Sequence, residues 1–157
     1  MFVAVACVAL MIGQQAQAAT SPTDDHAFAR LAKSDLAAAQ RQLAFDIKLP
    51  LNVPKGFRLI RVSWTGTAVD LVWRRASDGG SLHVWQSAQT DAELGAKIPG
   101  RAGIATRIGG TEWSRTVAGG CTDEHPCFTR RLSDGVLIDM NGTLSEASIR
   151  RIAKTLR

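Results

Sequence analysis

The sequence contains no tyrosine, and aromatic residues make up only 6% of its 157 residues. A G-x-S-x-G nucleophile elbow and a GxxxxGK(S/T) phosphate loop are also absent. Their absence excludes the usual sequence signatures of α/β-hydrolases and P-loop nucleotide-binding proteins. Tryptophans can stack on bases, as in binders of single-stranded nucleic acid, but Trp64 and Trp73 share a strand face with Val and Leu and are expected in the core. We therefore predict no catalytic residues, no cofactor and no nucleic-acid partner, and at this length a single domain.

Charged side chains are missing from residues 1–18, and residues 1–13 form an almost purely apolar run. A helix of that length is shorter than the hydrocarbon core of a bilayer, which is about 30 Å thick. Ala16-Gln17-Ala18 has the A-x-A form of a signal-peptidase site, although no Lys or Arg precedes the run. We predict a cleaved signal peptide over residues 1–18, and therefore a periplasmic or secreted bacterial protein with no transmembrane helix in the mature chain. A membrane anchor and a buried helix are the alternatives for this segment.

Cysteine is scarce, with three residues in the whole chain. Removal of residues 1–18 takes away Cys7 and leaves Cys121 and Cys127, an even number that favours a disulfide in an exported protein. The alternative is a metal site formed by the residues of this segment, namely Cys121, His125 and Cys127 with Asp123 or Glu124. That spacing matches no strong zinc pattern, and no second Cys/His pair lies elsewhere. We predict a Cys121–Cys127 disulfide and no metal.

Positive charge exceeds negative charge, with 19 Lys and Arg against 14 Asp and Glu, a net charge of +5. A basic chain favours acidic partners, and for an exported protein these include an anionic envelope surface. The densest group of cations lies at the C-terminus and supplies the candidate contact residues, Arg150, Arg151, Lys154 and Arg157. Cations near the C-terminal end of a helix also complement the helix dipole, and a modest net charge can serve solubility alone. A structural role for these cations and contact with an anionic surface therefore both remain open.

Helical periodicity appears at both ends of the predicted mature chain. Residues 22–44 carry one apolar stripe at three- and four-residue steps, consisting of Phe28, Leu31, Ala32, Leu36, Ala39 and Leu43. Asn141-Gly142 ends the sheet region, and Thr143 and Glu146 then have the spacing of a capping box that starts an amphipathic C-terminal helix. The first helix packs on a sheet or presents a partner-binding face; its composition also suits a loosely attached spacer.

Short strands with glycine-containing turns fill the region between the helices, from residue 57 to residue 140. Alternation places Ile60, Val62 and Trp64 on one face of the first strand, and Leu82 and Val84 opposite His83 and Trp85 in the third. The predicted fold is α+β, an antiparallel meander sheet of about six or seven strands flanked by an N-terminal helix and a C-terminal amphipathic helix. The predicted organisation is a signal peptide (1–18), an N-terminal helix or spacer (19–44) and a single α+β extracytoplasmic domain (45–157).

Four tryptophans and two histidines are the residues most open to a functional interpretation. Trp64, Trp73, Trp85 and Trp113 could line a groove for an apolar ligand such as a lipid or peptide, although filling a small core is the stronger reading. His83 and His125 are candidate bases of a small secreted hydrolase. A histidine in mid-strand is more often structural, so we assign no catalytic residue.

The segment 45–59 reads Phe-x-Ile-x-Leu-Pro-x-x-Val-Pro-Lys-Gly-Phe-Arg-Leu, and the chain ends with Gly142-x-Leu144, Ile149, Ile152-Ala153 and Leu156. Over residues 45–157 this pattern resembles the extracytoplasmic domain of unknown function found at the C-terminus of bacterial anti-sigma factors. The same domain occurs in free-standing exported proteins similar to lipoprotein-sorting carriers. The resemblance implies a half-barrel-like sheet, a sensory or binding role outside the cytoplasm and no catalytic residues; the Cys121/Cys127 pair is not part of the pattern.

These observations predict a non-enzymatic exported bacterial envelope protein with a sensing or ligand-binding domain. Its expected partners are an envelope protein or an anionic envelope surface. The alternatives are a carrier of an apolar ligand, and a small secreted hydrolase.

Overall fold

The computed structural model describes residues 24–90, 93, 103–117 and 120–156, with side chains from residue 31 onward. The predicted signal peptide and Arg157 therefore lie outside the described residues. Two helices frame the chain, α1 (Asp24–Gln42) and α2 (Glu146–Ala153). The strands between them are β1 (Phe57–Trp64), β2 (Ala68–Arg75), β3 (Ser81–Ser87), β4 (Ile104–Ile108), β5 (Thr111–Thr116), β6 (Cys127–Arg131) and β7 (Leu137–Gly142). In the part of the chain that the structure describes, neither helix is long and apolar enough to cross a membrane.

The strands form one antiparallel sheet in the order β1-β2-β3-β7-β6-β5-β4. It consists of two meanders, β1 to β3 and β4 to β7, that are joined by the antiparallel pairing of β3 with β7. The last strand of the chain therefore lies at the centre of the sheet. A seven-stranded antiparallel sheet, with one helix before its first strand and another after its last, confirms the predicted α+β fold.

Strand β1 departs from the alternation that the sequence predicts. A register shift between Leu59 and Arg61 marks a bulge, which places one extra residue in the strand. Leu59 on one side of the bulge and Val62 and Trp64 on the other therefore all face the core. The prediction that Ile60 shares their face was wrong because simple alternation does not count the extra residue. In β3, Leu82 and Val84 lie in the core, on the face opposite His83 and Trp85, as predicted.

Both helices pack on the same face of the sheet, which we call the helix-covered face. Helix α1 contributes Ala32 and Ala39 to the core, Leu43 directly after it also lies there, and the helix packs against β1. From the predicted stripe, Leu36 is partly buried but Leu31 is 60% exposed. Helix α2 contributes Ile149, Ile152 and Ala153 to the same core. Burying apolar area of this kind is the main favourable term in folding, so α1 belongs to the domain core and is not a loose spacer.

The segment 45–54 crosses the helix-covered face between the two helices, and four of its apolar side chains, Phe45, Ile47, Leu49 and Val53, pack against the core. The buried carboxamide of Gln86 on β3 holds this segment through Lys48. A bridge between Pro50 and Leu156 fixes its far end beside α2. The proline-rich entry segment is therefore a structural part of the core.

Helix α2 begins without the predicted capping box. Its N-cap is Ser145, which makes no side-chain cap hydrogen bond. The Thr143 hydroxyl instead accepts a hydrogen bond from Ser81 N at 2.8 Å, so it extends the β3–β7 pairing. The capping-box prediction was wrong because the Thr143 hydroxyl bonds to the sheet. The Glu146 carboxylate instead pairs with the two arginines described below.

Candidate functional site

The face of the sheet opposite the helices carries a row of polar side chains across its central strands. The register aligns Asp70 of β2 with Trp85 of β3, Trp85 with Asp139 of β7, and Asp139 with Thr129 of β6. We call these four residues the polar row. Helices α1 and α2 both contribute to the core on the other face. The register therefore places two aspartates, a threonine and a tryptophan side by side across four strands.

Asp139 lies at the centre of the polar row, on the middle strand of the sheet. Only 7% of the residue is exposed. Its carboxylate accepts a hydrogen bond from the Thr129 hydroxyl at 3.0 Å and another from the Asn141 amide at 3.2 Å. A buried carboxylate is costly unless such donors compensate for lost hydration. The sheet thus holds an acidic group in a fixed position on this face.

Asp70 marks the outer end of the polar row. Its Oδ2 accepts a hydrogen bond from Arg61 at 3.0 Å, and its Oδ1 lies 4.0 Å from His83 Nδ1. The His83 side chain is 34% exposed. This places an imidazole beside a carboxylate, but in the described part of the chain no serine, threonine or cysteine side chain hydrogen-bonds to His83. The pair can orient a histidine or contact a ligand; no nucleophile completes it among those residues.

The four tryptophans do not share one face. Trp73 and Trp113 are 7% and 2% exposed and belong to the core on the helix-covered face. Trp64 packs against that core, and its indole N–H donates to Gln42 at 2.9 Å. Trp85 alone lies in the polar row, on the opposite face. Their placement gives no single groove lined by all four.

The predicted disulfide is present, between Cys121 and Cys127, with the Cα atoms 5.6 Å apart. The loop that it closes is folded on itself, since Thr122 N donates to His125 O and His125 N donates to the Thr122 hydroxyl. The His125 ring lies 3.4 Å from the carbonyl oxygen of Leu144, just before α2. His125 is thus a contact between the loop and the helix, and no group of three metal-binding side chains occurs among the described residues.

A network of ion pairs connects the disulfide loop to α2. Arg115 on β5 lies 3.3 Å from Asp123 in the loop and 3.1 Å from Glu146 in the helix. Glu146 also pairs with Arg150 at 2.7 Å. The hydrogen bond from Arg150, and after it that from Arg115, holds the pKa of the Glu146 carboxyl below its ordinary value, although burial opposes this. The network is structural, since it fixes the first turn of α2 against β5.

The predicted anionic-surface cluster on α2 is divided by this network. Arg150 reaches across to the edge strand, where it donates to the Thr106 hydroxyl at 3.0 Å, and it lies over the Phe128 ring at 5.3 Å. Arg151 and Lys154 are exposed, and Arg157 lies outside the described residues. Arg150 therefore has a structural role. The sequence prediction grouped Arg150 with the other cations because its contacts with Glu146 and Thr106 are visible only in the structure.

Sequence reasoning did not single out Asp139, Asp70 or Thr129. One signal was available: β7 reads Leu137-Ile-Asp-Met140, which places an acidic residue inside an apolar run. A strand buried on both faces is expected to be apolar throughout. A carboxylate in that position indicates that hydrogen-bond donors beside it offset the cost of its burial. Its neighbours on β3 and β6 are visible only from the register.

No model of a known protein family matches the chain, and no curated protein is significantly similar to it. Family membership is therefore not shown. The resemblance of residues 45–157 to the extracytoplasmic domains of anti-sigma factors remains a prediction, carried by the entry segment and the terminal helix.

Proposed function

We propose that this chain is a non-enzymatic, exported bacterial domain that binds or senses a component of the cell envelope, as anti-sigma-factor extracytoplasmic domains are expected to do. The observation that supports this proposal best is the polar row on the face opposite the helices. Asp70 and Trp85 are partly exposed on this face, whereas Asp139 is buried beside them. Binding sites combine a few fixed polar groups with an aromatic surface, and Asp70 and Trp85 supply such groups.

Export is supported by two features. Residues 1–18 are uncharged and begin with an apolar run over 1–13, which is the form of a signal peptide. The Cys121–Cys127 disulfide suits an oxidising compartment. The test is fractionation of bacteria that express the full chain, followed by thiol alkylation of each fraction. Periplasmic or secreted protein with Cys121 and Cys127 blocked from alkylation is the expected result. Cytoplasmic protein with both thiols free would refute export.

Binding by the polar row is tested by site-specific photocrosslinking in living cells. A photoreactive residue at position 83 lies beside Asp70 on this face, and the same residue at the exposed position 34 on α1 is the control. A discrete adduct from position 83 that is absent from position 34 is expected. Substitution of Asp70 by Asn should weaken that adduct. Identical adducts from the two positions, or none from position 83, would contradict recognition by this face.

A small secreted hydrolase is the second candidate, and the 4.0 Å approach of His83 to Asp70 is the observation in its favour. A carboxylate beside a histidine orients the imidazole of a general base. Hydrolysis of ester or amide test substrates that disappears in the H83A variant would support this function. Activity that survives H83A, or no activity, leaves binding as the better-supported function. No observation favours a carrier of an apolar ligand, because Trp73 and Trp113, two of the four tryptophans predicted to line its groove, lie in the core.

A further inference from the structure

Three polar side chains from three neighbouring strands meet at the outer end of the polar row. Arg61 on β1 lies 3.0 Å from Asp70 Oδ2 on β2, and Asp70 Oδ1 lies 4.0 Å from His83 Nδ1 on β3. We call these three residues the outer cluster. Their side chains are 57%, 29% and 34% exposed, so a ligand can reach all three.

The 4.0 Å between Asp70 Oδ1 and His83 Nδ1 is too long for a direct hydrogen bond. Among the described residues, neither atom makes a hydrogen bond. An oxygen placed about 2.8 Å from Oδ1 and about 2.9 Å from Nδ1 would make two hydrogen bonds at an angle of about 90°. A hydroxyl suits this position, because it can donate to the carboxylate and accept from the imidazole N–H.

The charges of the outer cluster favour a neutral ligand. Arg61 already pairs with Asp70, so a cationic group that approaches the carboxylate also meets the guanidinium. An anionic group that approaches Arg61 or His83 meets the Asp70 carboxylate. A trans peptide group is neutral, but its N–H and C=O point in opposite directions, so it cannot bond to Asp70 and His83 from one side. A hydroxyl carries its donor and its acceptor on one atom.

We propose that the outer cluster binds a neutral carbohydrate, with one sugar hydroxyl bridging Asp70 and His83. This inference rests on the proposed function, because it names a ligand class for the same face of the sheet. A guanidinium has five N–H donors, so Arg61 can bond to a second oxygen of the sugar. Trp85 is partly exposed and lies opposite Asp70 in the register, which adds an aromatic surface to this face.

Two uncharged oligosaccharides serve as probes, chitotetraose for N-acetylated amino sugars and maltotetraose for unmodified hexoses. Because neither probe is charged, the net charge of +5 does not attract it. The histidine-ring signals in the NMR spectrum of the unmodified chain are followed during each titration. Either sugar should produce a saturable shift of the His83 ring and leave the ring of His125, beside the Leu144 carbonyl, unchanged. Equal shifts of both rings, or no shift of His83, would overturn the proposal.

The variants D70A, H83A and D70A/H83A test the bridging hydroxyl. Binding of the sugar should weaken about tenfold in D70A, because a hydrogen bond to a charged group is lost. The matched control is D46A, at an exposed position outside the cluster, and it should bind as the unmodified chain does. Since one hydroxyl joins the two side chains, the loss in the double variant should be smaller than the product of the single losses. A loss equal to that product, or equal losses in D70A and D46A, would refute the bridge.

Photocrosslinking separates a failure of this inference from a failure of the proposed function. Ser63 is exposed and lies opposite Asp70 in the register, so a photoreactive residue at that position leaves the outer cluster intact. Mass spectrometry of the adduct distinguishes an attached sugar, which supports the proposal, from an attached peptide. A peptide adduct without binding of either oligosaccharide would overturn the carbohydrate and keep recognition by this face. No adduct and no NMR shift would overturn both.

Discussion

The carboxamide of Gln86 bonds to both backbone groups of Lys48, which lies 38 positions earlier in the chain. Gln86 Nε2 donates to Lys48 O at 2.8 Å, and Lys48 N donates to Gln86 Oε1 at 2.8 Å. The side chain thus donates to the C=O group and accepts from the N–H group of Lys48, as the backbone of a neighbouring strand would. Gln86 is fully buried, so one side chain of the central sheet fixes the segment that closes the core between the helices.

Replacement of Gln86 by Met should destabilise the protein by about 2–6 kcal/mol, since a partly buried N–H and C=O each lose their partner at about 1–3 kcal/mol. Chemical denaturation measures the change. The control is Q42M, which removes the exposed hydrogen bond to Trp64 and should cost less than about 1 kcal/mol. Equal effects of the two substitutions would show that the Gln86–Lys48 contact does not hold the segment.

Reduction of the Cys121–Cys127 disulfide should lower the free energy of unfolding by about 2 kcal/mol, because a short closed loop removes little entropy from the unfolded chain. Denaturation curves with and without a dithiol reductant measure this difference. The stability of the double variant C121A/C127A should not change when the reductant is added. A dithiol effect of the same size in that variant would assign the destabilisation to something other than this disulfide.

Protonation of Glu146 should weaken the attachment of α2. The pKa of this carboxyl is lowered in the folded protein, first by Arg150 and then by Arg115, so its stabilisation is complete above the unfolded value of about 4.3. The stabilisation is lost as the pH falls through the folded pKa.

Thermal unfolding of E146Q and the unmodified chain between pH 7 and pH 3 tests this sign. The unmodified chain should be more stable at pH 6, and the difference should shrink below about pH 4.3. A constant difference across the range would mean that the carboxylate charge does not contribute.

Alanine at position 142 should destabilise the sheet by about 2 kcal/mol or more, since backbone strain of this kind costs about 1–3 kcal/mol. Gly142 has a φ of 151°, and a Cβ there would lie 2.2 Å from Ser81 O. G66A is the matched control, because nothing lies within 4 Å of a Cβ at Gly66. Comparable denaturation midpoints for the two variants would contradict the close approach of β7 to β3.

The sequence predicts those parts of the fold that depend on residues close together in the chain, and it does not predict contacts between distant residues. Alternation and glycine turns located the strands, and Gly109 and Gly110, with φ of 61° and 83°, form the predicted tight turn. The bulge after Leu59 could not be predicted, because an extra residue leaves the composition of a strand unchanged. The pairing of β3 with β7 was equally hidden, since it joins residues about 55 positions apart.

The candidate site was harder to predict than the fold. Asp139, Trp85 and Asp70 come from three strands, and only the register aligns them. The cations of α2 were visible in the sequence, but the partners that separate Arg150 from Arg151 lie in β4 and in the first turn of the helix. The disulfide was predictable because its two cysteines are six positions apart and a polar loop separates them.

The central position of β7 has a consequence for the order of folding. While residues 137–142 are still missing from a growing chain, β3 has an open edge on the side where β7 belongs, and so does β6. Exposed strand edges recruit other chains. Completion of the sheet must therefore wait until β7 has been made, and until then the first three strands depend on α1 and the 45–54 segment to cover their apolar face.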